Sequence, residues 1–569
     1  MTQETLKPVV AEPQSTSPGS SAVLPAAALA ASALLAACSG GGGGDGGSSA
    51  APVAPPAAVP TTNVQAARFL AQASMGVTDT DLAAVQSSGY EAWLEAQFAA
   101  PLSQSHWDWL LAKGYTDAAL YRNSQAGLDN TIWRKLISSP DSLRQRVVLA
   151  LTEIFVVSVT GLNISWRQFT CAAYLDLLEA NCFGTFRTLL ERITLSIAMG
   201  SYLNMRGSQR EDAATGRQPD ENYAREVLQL FSLGLIELNN DGSPKLAANG
   251  LPKDTYDQAT IAGLAKVFTG WDYTTVGATL TTAPDRARAP MTFTASRFSP
   301  SDKSFLGAAI PGATDGVSAL GIALDTISNH PNVGPFIGRQ LIQRLVTSNP
   351  SPAYIGRVAA AFNNANGVRG DMKAVIKAVL LDPEARTADV NPSPTWGKVR
   401  EPIVRFAQWA RTFGATSPTD IWNVGDLSDG SRRLGQSPLR SGSVFNFFRP
   451  GYVPPNSSLG TLGLVAPELQ ITNETSVVGY SNFMQTTIVS GIGEVRASYT
   501  AELPRATDST ALVDRYALLL ASDQLSADTK TRIRTAIETI NPSTDAGKLN
   551  RIYAAIMLIL VAPEYLVQK

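Results

Sequence analysis

From residue 64 onward the apolar positions recur every three to four residues, the period of an amphipathic helix. The pattern predicts a mainly α fold: a large multi-helix globular domain over 64–569 with a few short β-hairpins. The most sharply drawn stretch is 219–234. At about 100° per residue, Tyr223, Val227, Leu228, Leu230 and Phe231 fall on one side. Glu221, Asn222, Arg225, Glu226, Gln229 and Ser232 fall on the other. Both ends carry stop signals. Asp220 offers a carboxylate to the free N–H groups of the first turn, and Gly234 can adopt the left-handed closing conformation. Glu221 complements the helix dipole and stands four residues ahead of Arg225, close enough to pair with it. The polar side reads either as a solvated face or as the wall of a cleft.

The same period predicts helices over 64–73, 81–87 (capped by Asp79 or Thr80), 90–99, 128–138, 143–157, 186–199 and 256–269. In the second half it predicts helices over 317–328, 334–347, 354–362, 372–381 (capped by Asp371), 402–413, 467–484, 511–521, 528–540 and 546–562. Asp241-Gly242, between short apolar segments, is a hairpin-turn signal, and 303–307 reads as a strand and turn. Glu153 lies inside the near-continuous apolar run 147–159. A buried glutamate needs a partner or a raised pKa, and Arg144 or Arg146 is the expected partner. His106, within Ser-His-Trp-Asp-Trp, reads as a packing residue. His330 precedes Pro331, which biases it away from helix, so it falls at a junction between helices. The segment 443–455 is rich in Pro and aromatics (Phe445, Phe447, Phe448, Tyr452), fitting a recognition surface or a loop plug.

The first 63 residues follow a different pattern. Residues 22–37 are uncharged and rich in Ala and Leu. They are too few to span a bilayer comfortably and about right for a signal-peptide core. The run ends in Leu35-Ala36-Ala37-Cys38, followed by Ser39 and a glycine tract. This resembles the lipobox of bacterial lipoproteins, which implies cleavage before Cys38, lipidation of Cys38, and sorting to the outer membrane, facing periplasm or cell surface. Gly, Ser, Ala and Pro dominate 40–63, which cannot bury enough apolar surface to order itself and reads as a flexible tether. The expected organisation is thus signal peptide 1–37, lipidated cysteine and linker 38–63, and helical domain 64–569.

Composition narrows the chemistry. Charged residues make up 17% of the chain, below the usual ~25%, and the net charge is −2. Nucleic acid is therefore not an expected partner. With two histidines and three cysteines, a zinc site of the usual kind is nearly excluded, and no metal or cofactor is expected. No Gly-x-Ser-x-Gly elbow and no phosphate-binding glycine loop is present. Cys171 and Cys182 bracket residues 172–180. If these are helical, the two Cα atoms lie ~16 Å apart, too far for a disulfide. An even pair in an oxidising compartment favours a bond, so the pairing stays open.

Several motifs together resemble a bacterial family known only as domain of unknown function 1800. They are Arg68 to Gly76, Asp220-Glu221-Asn222-Tyr223-Ala224-Arg225-Glu226, Thr269-Gly270-Trp271, His330-Pro331, Leu434-Gly435-Gln436-Ser437-Pro438 and Ala562 to Gln568. The resemblance implies an exported, mostly helical protein and a sulfatase-like exported protein as a partner. It carries no catalytic residue. Two functions are expected on these grounds. One is a lipid-anchored accessory or binding protein acting with an exported partner or an extracellular polymer. The other is a carboxylate-dependent hydrolase with a cleft lined by the 220–226 helix, its candidate residues being Glu221, Arg225, Glu226, Asp257, Trp271 and His330.

Overall fold

Helix starts in this chain are fixed by short polar residues placed one position ahead. Thr62, Thr78, Ser196, Asp257, Asp315, Asp371, Asp508 and Thr544 each accept a first-turn backbone N–H with the side chain. In the computed structural model, which describes residues 59–60, 62–275, 279–386 and 395–569, helices dominate, and the main apolar core runs continuously through them. The signal peptide, Cys38 and most of the tether lie outside the described residues.

Many expected helices form at the expected places: Tyr90–Ala99, Leu128–Ser138 and Met372–Leu381 match to the residue. Three departures have clear causes. The run 186–199 divides into Phe186–Thr194 and Ile197–Tyr202 because the Ser196 hydroxyl accepts from Met199 N (3.2 Å), starting a new helix there. The run 143–157 becomes Ser142–Ile154; Val159 N donates instead to Leu439 O (2.9 Å), turning the chain away. The run 219–234 contracts to Asn222–Gln229. Asp220 does not cap it. Its Oδ1 accepts from Asn222 N (2.8 Å), an Asx turn ahead of the helix, and Glu221 takes the cap position with no side-chain bond. Beyond Gln229 the N–H groups of Leu233 and Gly234 both return to Leu228 O (2.9 and 3.0 Å), and Gly234 takes φ +77°, the left-handed close expected of it.

Three antiparallel strand pairs form among the described residues: Trp271–Asp272 with Thr292–Phe293, Lys303–Phe305 with Ala308–Ile310, and Lys398–Val399 with Val567–Gln568. The Asp241-Gly242 turn closes a bridge between Leu238 and Pro244, with Gly242 at φ +76°. A smaller cluster built on Trp107, Trp109, Trp166 and Phe169 stands apart from the main core. Among the described residues no helix is long and apolar enough to cross a membrane.

Helix Gln258–Val267 meets strand Lys303–Phe305 at Gly263, where an added Cβ would stand 1.9 Å from Ser304 O. Gly321, on helix Gly316–Asn329, faces open space. Gly263→Ala is expected to destabilise the protein by about 3 kcal/mol or more through overpacking against backbone, whereas Gly321→Ala is expected to be neutral or to stabilise by up to about 1 kcal/mol. Thermal unfolding of the two variants side by side checks this contrast.

Candidate functional site

The helix Ser142–Ile154 is buried at every position, although it carries Arg144, Gln145, Arg146 and Glu153. Burial of charge must be answered by other charges, and four distant segments supply them. Helix Val333–Leu345 brings Arg344; the strand Lys398–Val399 and the residues after it bring Lys398 and Glu401; the turn at 436–438 brings Gln436; and the short helical turn Pro467–Ile471 brings Glu468. All are buried, Glu401 and Gln436 completely.

The contacts form one connected network. Lys398 Nζ bridges Glu401 Oε1 (3.2 Å) and Glu468 Oε1 (3.0 Å) and donates to Arg344 O (2.8 Å). Arg146 Nη2 donates to the same carbonyl at 2.5 Å. Gln436 donates to Glu401 Oε2 (3.1 Å) and accepts from Ile403 N (3.3 Å). Arg344 Nη2 donates to Glu153 O (3.0 Å), while its Nε lies 3.4 Å from Glu153 Oε2 without hydrogen-bond geometry. Glu153 is thus answered by Arg344, not by Arg144 or Arg146, and neither of its carboxyl oxygens meets a well-aligned hydrogen-bond donor among the described residues. Arg144 pairs with Asp141 (3.0 Å).

The two carboxyls at the centre titrate apart. Burial raises Glu153 well above the usual carboxyl range, and the neighbouring Glu401 charge adds to the rise. Burial would raise Glu401 as well, but Lys398, the adjacent Glu153 carboxyl, Arg146 and Gln436 outweigh it and hold Glu401 at about 2. The surroundings thus push the two carboxyls in opposite directions, Glu153 toward its neutral form and Glu401 toward its ionised one.

Beside Glu153 lies a cavity of about 10 Å³, lined by Glu153, Gln436, Ser437, Leu439, Asn446 and other residues. That is room for about one water molecule. The Ser437 Oγ and Asn446 Nδ2 have no hydrogen-bond partner among the described residues. Leu439 and Asn446 both hold positive φ, +56° and +60°, a conformation unusual for leucine that keeps the backbone tight around the cavity.

The residues singled out from sequence are placed differently. Glu221, Arg225 and Gln258 form a surface net. Gln258 donates to Glu221 Oε2 (2.7 Å), and Arg225 Nη2 reaches Glu221 Oε2 (3.4 Å) and Gln258 Oε1 (3.3 Å). Asp257, beside them in sequence, caps its own helix through Thr260 N (2.8 Å). Glu226 is buried rather than on a solvated face, its pKa raised by that burial, and its Oε2 is without a partner among the described residues. Trp271 packs against Phe293, with ring centroids 5.5 Å apart. His330 accepts from Asn332 N at Nδ1 (3.2 Å) while Arg369 binds its carbonyl (2.9 Å); burial lowers its pKa. The first helix and Gln258 are tied together, and His330 and Trp271 serve other junctions. Cys171 and Cys182 are free, buried thiols, Cys171 one turn into the helix Arg167–Asn181 and Cys182 at its C-terminal cap, and burial pushes both up to about 12.

A second buried cluster joins His106, Asp176 and Glu179, whose candidate ligand atoms lie within 4.8 Å of one another. Its donors are already engaged. Glu179 accepts from Lys135, from Gln145 (3.1 Å) and at His106 Nε2 (3.2 Å), and Asp176 receives the N–H groups of His106 (2.7 Å) and Trp107 (3.0 Å). The Lys135 ammonium already pairs with the Glu179 carboxylate, so the cluster reads as a structural ion network. Against burial, His106 and Lys135 hold Glu179 at about 2. Residue type and order gave no sign of Lys398, Gln436 or Glu468 as network members. The one usable signal was the Leu434–Pro438 motif, which carries Gln436 and Ser437.

Residues 68–567 match the model of a family described as "Protein of unknown function (DUF1800)". No curated protein and no solved structure matches the chain.

The network makes a pH-dependent prediction. In the native state Glu153 keeps its proton above the ordinary glutamate value, so ionisation of the unfolded chain pulls stability down as pH rises from about 4.5 toward the folded pKa. Glu153→Gln, which mimics the protonated form, is expected to lose this dependence: its melting temperature relative to the unsubstituted protein rises between pH 5 and pH 8. Glu401 works in the opposite direction. Its stabilisation is fully present above about 4.5 and lost as pH falls toward 2. Glu401→Gln is expected to cost about 3–5 kcal/mol at neutral pH by stranding Lys398 beside a single remaining carboxylate. Chemical unfolding of both variants across the pH range measures each effect.

Proposed function

The chain belongs to this family of unknown function, and on that premise we propose that it is an exported, lipid-anchored protein that acts as an accessory or binding protein with an exported partner or an extracellular polymer. The anchor half of the reading rests on sequence: an uncharged leader, Cys38 in a lipobox-like setting, and a tether. It places the protein at the outer membrane, with a sulfatase-like exported protein as one candidate partner.

The observation that carries the binding half is the free face of helix Glu474–Ser490. This helix has 17 residues, so it runs for ~25 Å. Its one charged residue is Glu474. Thr475, Val478, Asn482, Gln485, Thr486 and Val489 are exposed along it; Val478 is 58% accessible and Val489 51%. A long surface of valine, amide and hydroxyl with almost no charge costs little to desolvate, which favours docking.

A second reading, a carboxylate-dependent hydrolase, draws on the Glu153–Glu401 pair rather than on the Asp220–Glu226 segment. The surroundings push the two carboxyls toward the split protonation that acid–base hydrolysis uses, but the adjoining cavity has room for about one water and none for an ester or glycan, which leaves this reading second to the first. Turnover of esters or glycans that disappears in both Glu153→Gln and Glu401→Gln, with folding intact, would select this reading over the first.

Two outcomes test the leading proposal. Mass spectrometry of the mature protein from membranes is expected to find an acylated N-terminal Cys38, and Cys38→Ser is expected to release the protein from the membrane fraction; a mature chain retaining Met1 overturns the anchor. A photo-crosslinking residue at Val478 is expected to trap an exported protein or retain a surface polysaccharide, and Gln485→Lys to reduce that yield several-fold; no adduct above that from a crosslinker at exposed Leu246 overturns the binding role.

A further inference from the structure

We infer that the cavity bounded by residues 118–125 and Arg167 binds a small organic oxyanion: a carboxylate, sulfate or phosphate group carried on a hydroxylated body. The inference uses none of the residues of the Glu474–Ser490 face or the buried carboxylate network, and it stands independently of both.

The cavity has a volume of about 530 Å³ and is lined by Arg122, Asn123, Ser124, Gln125 and Arg167 beside small apolar residues. The volume falls within the ~300–1,000 Å³ range of small-molecule sites, in a depression open to solvent, with Ala119, Leu120 and Asn123 exposed. Local bonds assemble it. Asp117 caps the short helix Ala118–Tyr121, accepting from Ala119 N (2.8 Å) and Leu120 N (3.3 Å). The Ser124 hydroxyl accepts from Ala126 N (3.0 Å) and holds the following turn. Two bonds then fasten this segment to the start of the helix Arg167–Asn181. Trp166 N donates to Arg122 O (2.6 Å), and Gln168 Nε2 to Tyr121 O (2.8 Å). Trp166 is fully buried, with its indole N–H on Leu280 O (2.7 Å). Arg122 and Arg167, 45 positions apart by number, are thereby set on the same cavity by backbone contacts rather than by flexible loops.

Its two cations are unanswered, as Arg192, Arg432, Arg433 and Arg496 also are among the described residues; what sets the place apart is that two of them line one depression. Among the described residues, neither Arg122 nor Arg167 forms an ion pair or a side-chain hydrogen bond, whereas Arg187, Arg206, Arg357, Arg440 and Arg515 each hold a carboxylate. The side-chain amides of Asn123 and Gln125 are also without partners among the described residues. The nearest acid in sequence, Asp117, is turned onto the N–H groups of its own short helix. The 15-residue helix that starts at Arg167 has neither a side-chain cap nor an acidic residue in its first turn, so its positive end adds to the same field.

The chemistry follows from the donors. Two guanidinium groups recognise planar or tetrahedral oxyanions through paired N–H donors. Asn123, Gln125 and Ser124 offer amide and hydroxyl groups suited to the hydroxyls of a sugar-sized body.

The test is calorimetry on the whole mature protein with glucose, glucuronate, glucose 6-sulfate, glucose 6-phosphate and inorganic sulfate as probes. The charged sugars are expected to bind at least about ten-fold more tightly than glucose, with affinity falling as salt is raised. Among the three, the tightest identifies which oxyanion the site takes. Arg122→Gln and Arg167→Gln are each expected to weaken the charged sugars about ten-fold, consistent with loss of a charge-assisted pair, while leaving the melting temperature unchanged. Asn123→Ala with Gln125→Ala is expected to weaken the sugars but not inorganic sulfate. Equal affinity for glucose and the charged sugars, or unchanged affinity in a folded Arg122→Gln, Arg167→Gln double variant, would overturn the assignment.

Discussion

The constraint on which the interior depends is the desolvation of one helix. Ser142–Ile154 is surrounded on all sides, yet two of its arginines and a glutamate cannot leave it. Water is excluded, so each charge has to be met by protein. That requirement draws Arg344, Lys398, Glu401, Gln436 and Glu468 from separate parts of the chain to one place. An isolated buried charge is costly enough to prevent burial altogether, and even a paired one contributes little net stability. The network is better understood as a condition for packing this helix than as glue. Its contacts tie together the segments that carry Arg344, Lys398, Gln436 and Glu468.

Much of the fold was legible because it rests on local physics. Hydrophobic period located the helices, and a short polar residue located some of their starts: Asp371 before Met372–Leu381 is a direct case, whereas Thr78, not Asp79 or Thr80, caps Asp79–Ser88, and Asp257 caps a helix that was expected to contain it. The misreadings arose where a local signal had two uses. Asp220 is as good at forming an Asx turn as a cap, and the shorter helix results. Ser196 sits inside a continuous apolar period, yet its hydroxyl starts a new helix, which a moment along the sequence does not register. Glu226 falls on the polar side of a helical wheel, but a wheel says nothing about what packs against that side.

The site was less legible for a different reason. Glu153 stood out because a lone acid in an apolar run violates the pattern. Its partner was sought nearby, at Arg144 and Arg146, because sequence offers only neighbours in number. The actual partners lie on other elements, and charge pairing across nearly 200 residues leaves no trace in spacing. The anion cavity was hidden in the same way. Arg122 and Arg167 are unremarkable as surface cations until the Trp166 N–H bond to Arg122 O brings their segments together. The free cysteines were decidable in part, since helix rise alone separates Cys171 from Cys182.

The Lys398–Val399 strand pairs with Val567–Gln568, and Gln568 also donates to Leu345 O at 2.9 Å. This clasp sits beside the charges that answer Glu153. A ribosome or a translocation channel delivers the chain in order, so the early helix emerges hundreds of residues before the pieces that neutralise it. Until then its arginines and glutamate must remain hydrated, and its leucines and valines remain uncovered with them. Burial of this helix therefore waits on contacts of long sequence separation, which form slowly and leave apolar surface uncovered in the meantime.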